Sequence, residues 1–365
     1  MREIVNALAR WEAQLQPAAL ATVVSVWRSA PRQPGACMAV SGAGEIVGSV
    51  SGGCVESAVA ETAFEVMRTR VPRLLEFGVA DEEAWAVGLS CGGRIEVFVE
   101  FVPAQGSPGA TVLTAVRRAV RDDAALCRAV VVRGGGLGAS LAVDAAGAVT
   151  GSLGSPARDA AVIEQAATLL AAGESRLVAV ESAGDTAQVF VHVVQSRAEL
   201  VVFGAVHIAI ALVEFARALG FRTAVVDPRA AFATRERFAH ADLLLNTWPD
   251  QPLPGIRLDE RSVVVVLSHD PKIDVPALQL ALSRPVVYVG ALGSTSTQRK
   301  RAATLAREGI TAAQLARLHA PIGLRIGART PEEIALAILA EIVAVQRTGS
   351  ATAPASEATE PRGGP

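Results

Sequence analysis

The stretch Leu200-Val-Val-Phe203-Gly204-Ala-Val206-His207-Ile-Ala209 decides the fold of the C-terminal half. Four apolar residues in a row read as a strand buried on both faces, and Gly204 supplies the turn that follows. Ile208, Leu212, Phe215 and Leu219 then recur at helical spacing, and Gly220 closes that helix. Thr223 to Val226 is a second strand ending in Asp227, an acid placed where a dinucleotide site holds a ribose diol. Further strands at Asp242 to Leu245, Val263 to Leu267 and Val286 to Val289 extend the pattern. It predicts an α/β fold with a Rossmann-like, doubly wound parallel sheet of at least five strands over residues 196–347.

Sheets of this kind bind ligands at the carboxyl ends of their strands, so polar groups there count for more than elsewhere. Gly204 and His207 follow the first strand, Asp227 the second, Ser268-His269-Asp270 the fourth, and Gly290-Ala-Leu-Gly293-Ser294 ends the fifth. These are the candidate cofactor-binding residues of this half. Val206 stands where a dinucleotide fingerprint needs its second glycine, and its β-branched side chain crowds the pyrophosphate; this argues against NAD(P). Thr330-Pro-Glu-Glu333 caps a last helix with Ile334, Ile338 and Ile342 on its apolar face. The tail over 348–365, rich in Ser, Ala, Thr, Pro, Glu and Gly, has no core to bury and reads as disordered.

Residues 1–195 read as a mixed α+β domain with one irregular sheet, unless the loop-like Pro103 to Gly109 splits it. An amphipathic helix carries Ile4, Leu8, Trp11 and Leu15; strands follow at Leu20 to Trp27, Cys37 to Ser41, Arg73 to Val79 and Arg94 to Phe101. Beyond the loop, strands at Ala125 to Arg133, Ser175 to Val180 and Gln188 to Val194 surround a helix at Ala157 to Ala172. Gly134 to Gly138 reads as a hairpin turn, since no Lys-Ser or Lys-Thr follows to make it a phosphate loop.

Within this half, Gly48-Ser-Val-Ser51-Gly52-Gly53-Cys54-Val-Glu56 places Cys54 at the turn between a short strand and a helix. Two glycines let the backbone turn tightly and leave its amides open, and a helix N-terminus favours a thiolate or another anion. Ser51, Gly52 and Gly53 are candidate ligand contacts, and Cys54 is a candidate nucleophile and metal ligand. Ser90-Cys91-Gly92-Gly93 offers a second glycine-flanked sulfur, at a spacing from Cys54 that fits neither a zinc knuckle nor a CxxC pair. Cys37 and Cys127 lie inside strands and read as core.

A balance of 34 basic to 36 acidic residues, formal charge −2, gives no field to draw nucleic acid or an anionic membrane. The longest apolar runs are strand-sized, so no membrane span is expected. Four cysteines, three of them beside or near glycine, fit a reducing cytoplasm better than a disulfide framework.

Together with Val226-Asp-Pro-Arg229, Leu267-Ser-His-Asp-Pro271, Pro321-Ile-Gly323 and Ile326-Gly-Ala-Arg-Thr-Pro-Glu-Glu333, these motifs resemble the XdhC/CoxI family over nearly the whole ordered chain. The resemblance implies an accessory protein that binds molybdenum cofactor (molybdopterin), assists its sulfuration and hands it to a molybdenum hydroxylase apoenzyme. A cysteine desulfurase and a second copy in a homodimer are further candidate partners. Val206 matches the CoxI-like branch, and Arg325 stands where an acid is expected. Thiolates suit molybdenum and its sulfido ligand, and a pterin phosphate suits backbone amides at a helix N-terminus. Two alternatives stay open: an NAD(P)-dependent oxidoreductase with Asp227 on the ribose and His269 with Asp270 as acid and base, and a thiol redox protein using Cys54 and Cys91.

Overall fold

The computed structural model describes residues 1–28, 30–78, 93–104, 106, 109–182 and 185–349. The chain divides between Ser196 and Arg197 into two compact units. Ser90, Cys91 and Gly92 lie outside the described residues, as does the tail from residue 350.

In the first unit, α1 (Arg2–Ala13) precedes β1 (Ala18–Trp27), β2 (Cys37–Ser41) and β3 (Ile46–Gly48), then come α2 (Glu56–Thr69), β4 (Arg73–Phe77) and β5 (Arg94–Val102). After the loop, α3 (Thr111–Arg121), β6 (Leu126–Arg133), β7 (Ser140–Asp144), β8 (Val149–Ser152), α4 (Pro156–Ala172), β9 (Arg176–Ser182) and β10 (Asp185–Val194) complete it. In place of the one irregular sheet expected, the structure has two five-stranded antiparallel sheets, β3-β2-β1-β5-β4 and β8-β7-β6-β10-β9. Strand pairing is non-local, so periodicity shows strands without showing which share a sheet. Helix α3 escapes the sequence reading although Val112, Leu113, Val116 and Ala119 are buried at helical spacing opposite more exposed basic residues. Leu15 falls beyond the end of α1 and is 93% exposed, because the helix stops before the spacing brings it round.

Each sheet packs a helix on its apolar face. Val59, Ala63 and Val66 of α2 lie on Ala21, Val23, Met38 and Val97, while Val162, Ala166 and Leu169 of α4 lie on Ala129, Val131, Leu141 and Val189. Between the sheets a small cluster of Val24, Phe98, Val130, Val132 and Phe190 is sealed from water. Beside it, Arg128 of β6 donates two bonds to the Glu100 carboxylate of β5 at 2.8 and 2.6 Å, with both side chains buried. Cys37 and Cys127 are core, as read, and burial pushes the Cys127 thiol up to about 12.

His192, opposite Arg128 on β10, is buried and its pKa is lowered to about 3, first by burial and then by the amino-terminal charge and Arg128. A folded pKa below the unfolded value means that the unfolded state takes up the proton. His192 therefore adds nothing to the pH dependence above about pH 6.5, and stability falls as pH drops from there towards 3, by about 1.4 kcal/mol per unit. Denaturation followed between pH 7 and 5 is expected to show this slope in the wild type and to lose it in His192→Gln.

The second unit is built on β11 (Glu199–Phe203), α5 (His207–Ala218), β12 (Arg222–Val226), β13 (Leu243–Leu245), β14 (Val263–Val266), α6 (Pro271–Leu282), β15 (Tyr288–Ala291), α7 (Thr295–Arg307), α8 (Ala312–Leu315), β16 (Leu318–His319) and α9 (Pro331–Thr348). Its strands form a six-stranded parallel sheet in the order β13-β12-β11-β14-β15-β16, the expected Rossmann-like sheet with β16 as an added edge. β11, β12, β14 and β15 are buried along most of their length because α5 and α9 pack on one face and α6 and α7 on the other. α9 opens with the expected capping box between Thr330 and Glu333.

Candidate functional site

The loop from Gly48 to Glu56 carries the first set of candidate residues. Gly48 has φ +83°, and a Cβ there would stand 2.3 Å from the Cys37 carbonyl oxygen, so only glycine lets β3 end against β2. Gly52 and Gly53 have φ +101° and +126°; a Cβ on Gly53 would meet nothing within 4 Å, so this part of the loop faces open space. Cys54 is exposed beside them.

Open amides are what the sequence leads one to expect at this turn, and the structure corrects that. The Glu56 carboxylate accepts hydrogen bonds from the backbone N–H groups of Val50, Ser51, Gly52, Gly53 and Val55, and from the hydroxyls of Ser49 and Ser51. Ser51 Oγ in turn accepts from the amides of Cys54 and Val55. The residue that opens α2 thus fills with its own side chain the anion nest that the glycines create. Burial alone would raise the Glu56 pKa; the bonds from Ser49, Ser51 and Gly52 outweigh it and hold the carboxyl well below the usual carboxylate range. Ser51 is buried and belongs to this framework, leaving Gly52, Gly53 and Cys54 as the outward-facing part. The sequence reading leaves Glu56 without a role; the signal for one was a carboxylate at the helix start shortly after a glycine pair.

The second set lies at the carboxyl edge of the parallel sheet. The chain runs from β11 outward through β12 to β13, then returns to the other side of β11 with β14, so the topological switch point falls between the turns after β11 and β14. Gly204 (φ +107°) sits there, and a Cβ on it would stand 2.6 Å from the Ser268 nitrogen. His207 is the first residue of α5 and His269 follows Ser268; both are exposed. Val206 is the N-cap of α5, makes no side-chain cap bond, and packs half-buried against the core.

Several candidates at this edge have structural work. Asp227 is buried and accepts from the Ala205 amide and from the Arg229 amide and guanidinium, which uses both carboxylate oxygens. Asp270 caps α6 by accepting from the Lys272 amide, and Ser294 caps α7 by accepting from the Thr297 amide. Gly290, expected just beyond its strand, lies inside β15, which runs two residues later than the apolar spacing suggests. A Cβ there would stand 2.4 Å from the Ile322 side chain, so packing demands this glycine. Gly293 has φ +140° at the turn into α7. Arg301 of α7 is buried and bonded to Asp274, Gln298 and the Leu292 carbonyl; Asp274 also accepts from Ser268 Oγ. Ser268, Asp274, Gln298 and Arg301 thus tie the turn after β14 to the turn after β15. A polar residue facing inward from a helix carries no sequence mark of its own. Arg325 is exposed.

Among the described residues, no group of three or more His, Cys, Asp or Glu is arranged to hold a metal ion, and no helix is long and apolar enough to cross a membrane.

The chain is similar to several known proteins. A Bacillus subtilis protein named as a probable xanthine dehydrogenase subunit is 25% identical over 334 residues, 91% of this chain and 94% of that protein. The "Molybdenum cofactor insertion chaperone PaoD" of Escherichia coli is 33% identical over 90 residues, 25% of this chain and 28% of that protein. A crystal structure from Bacillus halodurans titled as a xanthine dehydrogenase shares the fold, with TM-score 0.73 at 24% identity over 96% of this chain and 98% of that one. The description "XdhC Rossmann domain" matches residues 200–342, and "XdhC and CoxI family" matches residues 11–78 and 117–181, which takes in the Cys54 loop. The chain belongs to the XdhC and CoxI family.

Proposed function

We propose that this protein binds molybdenum cofactor as cargo, assists its sulfuration and inserts it into a molybdenum hydroxylase apoenzyme of the xanthine or CO dehydrogenase type. The observation that carries this reading is Cys54 itself, an exposed cysteine on a loop that Glu56 fixes from within. A soft sulfur held on a preorganised turn suits a soft metal or its sulfido ligand. The relative named as a cofactor insertion chaperone supports the same direction. Gly52 and Gly53 leave room for a bulky ligand to approach the backbone beside the sulfur. In the second unit, the exposed His207 and His269, with Gly204 and Gly293 in the adjoining turns, form the edge at which a phosphate-bearing ligand would dock.

The test is reconstitution. Purified protein loaded with molybdenum cofactor is expected to activate an apo-hydroxylase faster than free cofactor does; equal rates would leave no accessory role.

The oxidoreductase reading is weaker, because Asp227 already has both oxygens engaged and Val206 fills the place where a pyrophosphate would touch backbone. NAD(H) is expected to bind no tighter than about 100 μM by titration calorimetry, roughly −5.5 kcal/mol. Val206→Gly is expected to improve that affinity. A low-micromolar constant for the wild type would overturn the expectation.

A further inference from the structure

We infer that the first unit is one αβββαββ module present twice, and that the Ser51-Gly52-Gly53-Cys54 loop is a helix start unwound in only one copy for binding. The element order from α1 to β5 repeats from α3 to β10, and both sheets have the same strand order. The match reaches single residues. Val24 and Val132 are the bulged residues skipped between Val23/Ser25 and Val131/Arg133 in the central pairings of the two sheets. Arg70 and Gly173 end α2 and α4 in the same left-handed conformation.

The copies also meet as equivalents. The cluster between the sheets holds Val24 with Val132 and Phe98 with Phe190, with Leu74 and Leu177 packed beside it; its fifth member, Val130, corresponds to the buried Thr22. A Cβ on Gly35 would touch Ser175, and one on Gly138 would touch Pro72, which is the same contact made in both directions. Such self-complementarity is what a two-fold interface requires.

This internal alignment sorts the loop residues. Gly48-Ser49-Val50 and Glu56 correspond to Gly151-Ser152-Leu153 and Asp159. Gly48 and Gly151 share positive φ and a carbonyl that leaves no room for a Cβ; Val50 and Leu153 are both fully buried; Glu56 accepts from the Val50 amide and Asp159 from the Leu153 amide. Those positions belong to the fold. Between them the copies differ: Gly154-Ser155-Pro156-Ala157 enters its helix at Pro156, whereas Ser51-Gly52-Gly53-Cys54 stays unwound until Glu56. The second copy shows what the module does when only folding is asked of it, with Pro pre-set for the first helical turn. The first copy gives up that turn and holds Gly52 and Gly53 at positive φ, where the second copy has Gly154 alone at positive φ before its helix begins. Gly52, Gly53 and Cys54 are therefore the specificity-bearing residues of the site, and Ser49 and Glu56 its frame. This assignment rests on the proposed cargo role for its last step.

The test is a three-residue graft, Ser51→Gly, Gly52→Ser and Gly53→Pro, with Cys54 kept. The graft is expected to fold with a melting temperature no lower than wild type, to protect new amides at the start of α2 from hydrogen exchange, and to retain at least tenfold less molybdenum after cofactor loading. A graft that melts well below wild type, or one that gains the helical turn and keeps wild-type molybdenum, overturns the inference. A second pair reads the duplication alone: Phe98→Ala and Phe190→Ala are expected to lower the melting temperature by similar amounts, and a severalfold disparity contradicts it. Wild-type protein that retains no molybdenum defeats the cargo reading, while the melting and exchange results still decide the duplication.

Discussion

Glu56→Gln is expected to unravel the Gly48–Val55 loop while leaving both sheets folded. The carboxylate is the common acceptor for five backbone amides and two hydroxyls, so the loop hangs from one side chain. A glutamine keeps one acceptor oxygen and turns an NH2 group towards donors, so part of the ring of bonds becomes repulsive. With the loop half open to water, the loss is set at about 1.5–3 kcal/mol, the range for a bond to a charged group. Amides of Gly52 and Gly53 are expected to exchange at least tenfold faster in the variant; unchanged protection would mean that the carboxylate is not what holds the turn. The pH dependence has a definite sign. Because the folded pKa lies below the unfolded one, this contribution is complete above about pH 4.5 and is lost as the medium becomes more acidic than that. Below about pH 4.5 it adds to the loss from His192, which runs from about pH 6.5 towards 3, so the two effects separate above pH 4.5 or in the His192→Gln background.

Glu100→Ala carries the largest expected cost in stability. Arg128 is 2% exposed, and without Glu100 its guanidinium is left charged in a buried position between the sheets. Breaking such a pair from one side costs about 3–5 kcal/mol, against about 5–15 kcal/mol of total stability for an ordinary domain. Replacing both partners tells the attraction apart from the penalty. The equivalent cross-strand pairs are Leu20 with Glu100 in one sheet and Arg128 with His192 in the other, so each sheet already carries one uncharged member at this level. Glu100→Leu combined with Arg128→Met is expected to recover most of the loss by urea denaturation. A double variant as unstable as Glu100→Ala would show that the pair holds the two modules together by attraction.

The parallel sheet was legible because β11, β12 and β14 are short valine-rich runs, and β11 and β14 lead through a turn into a helix, which leaves few alternatives. Its edge was less so: β16 is two residues long, and β15 lies two residues later than Val286-Val287 suggests because Tyr288 and Gly290 are core residues without a strand's usual apolar look. In the first unit most strands were visible, but β7 and β8 were not and neither was the pairing, and the duplication stayed hidden because the copies share shape and burial more than residue identity. The candidate site was legible as a place. Cys54, Gly52 and Gly53 stand outward as their residue types suggest, yet the groups that fix the place, Glu56 in one unit and the Asp274-Arg301-Gln298 network in the other, are charged or polar residues turned inward. One-dimensional patterns read such residues as solvated.

Whether the exposed Cys54 sulfur holds the cargo is read from the molybdenum content of Cys54→Ser purified from a molybdenum-replete host beside wild type and Cys127→Ser. Serine keeps the size of the side chain and the turn and removes only the soft atom, whereas Cys127 is buried core. Cys54→Ser is expected to melt with the wild type and to retain at least tenfold less molybdenum, while Cys127→Ser loses thermal stability and keeps its share of the metal. Equal molybdenum in Cys54→Ser and wild type would contradict that expectation and move the site to the carboxyl edge of the parallel sheet.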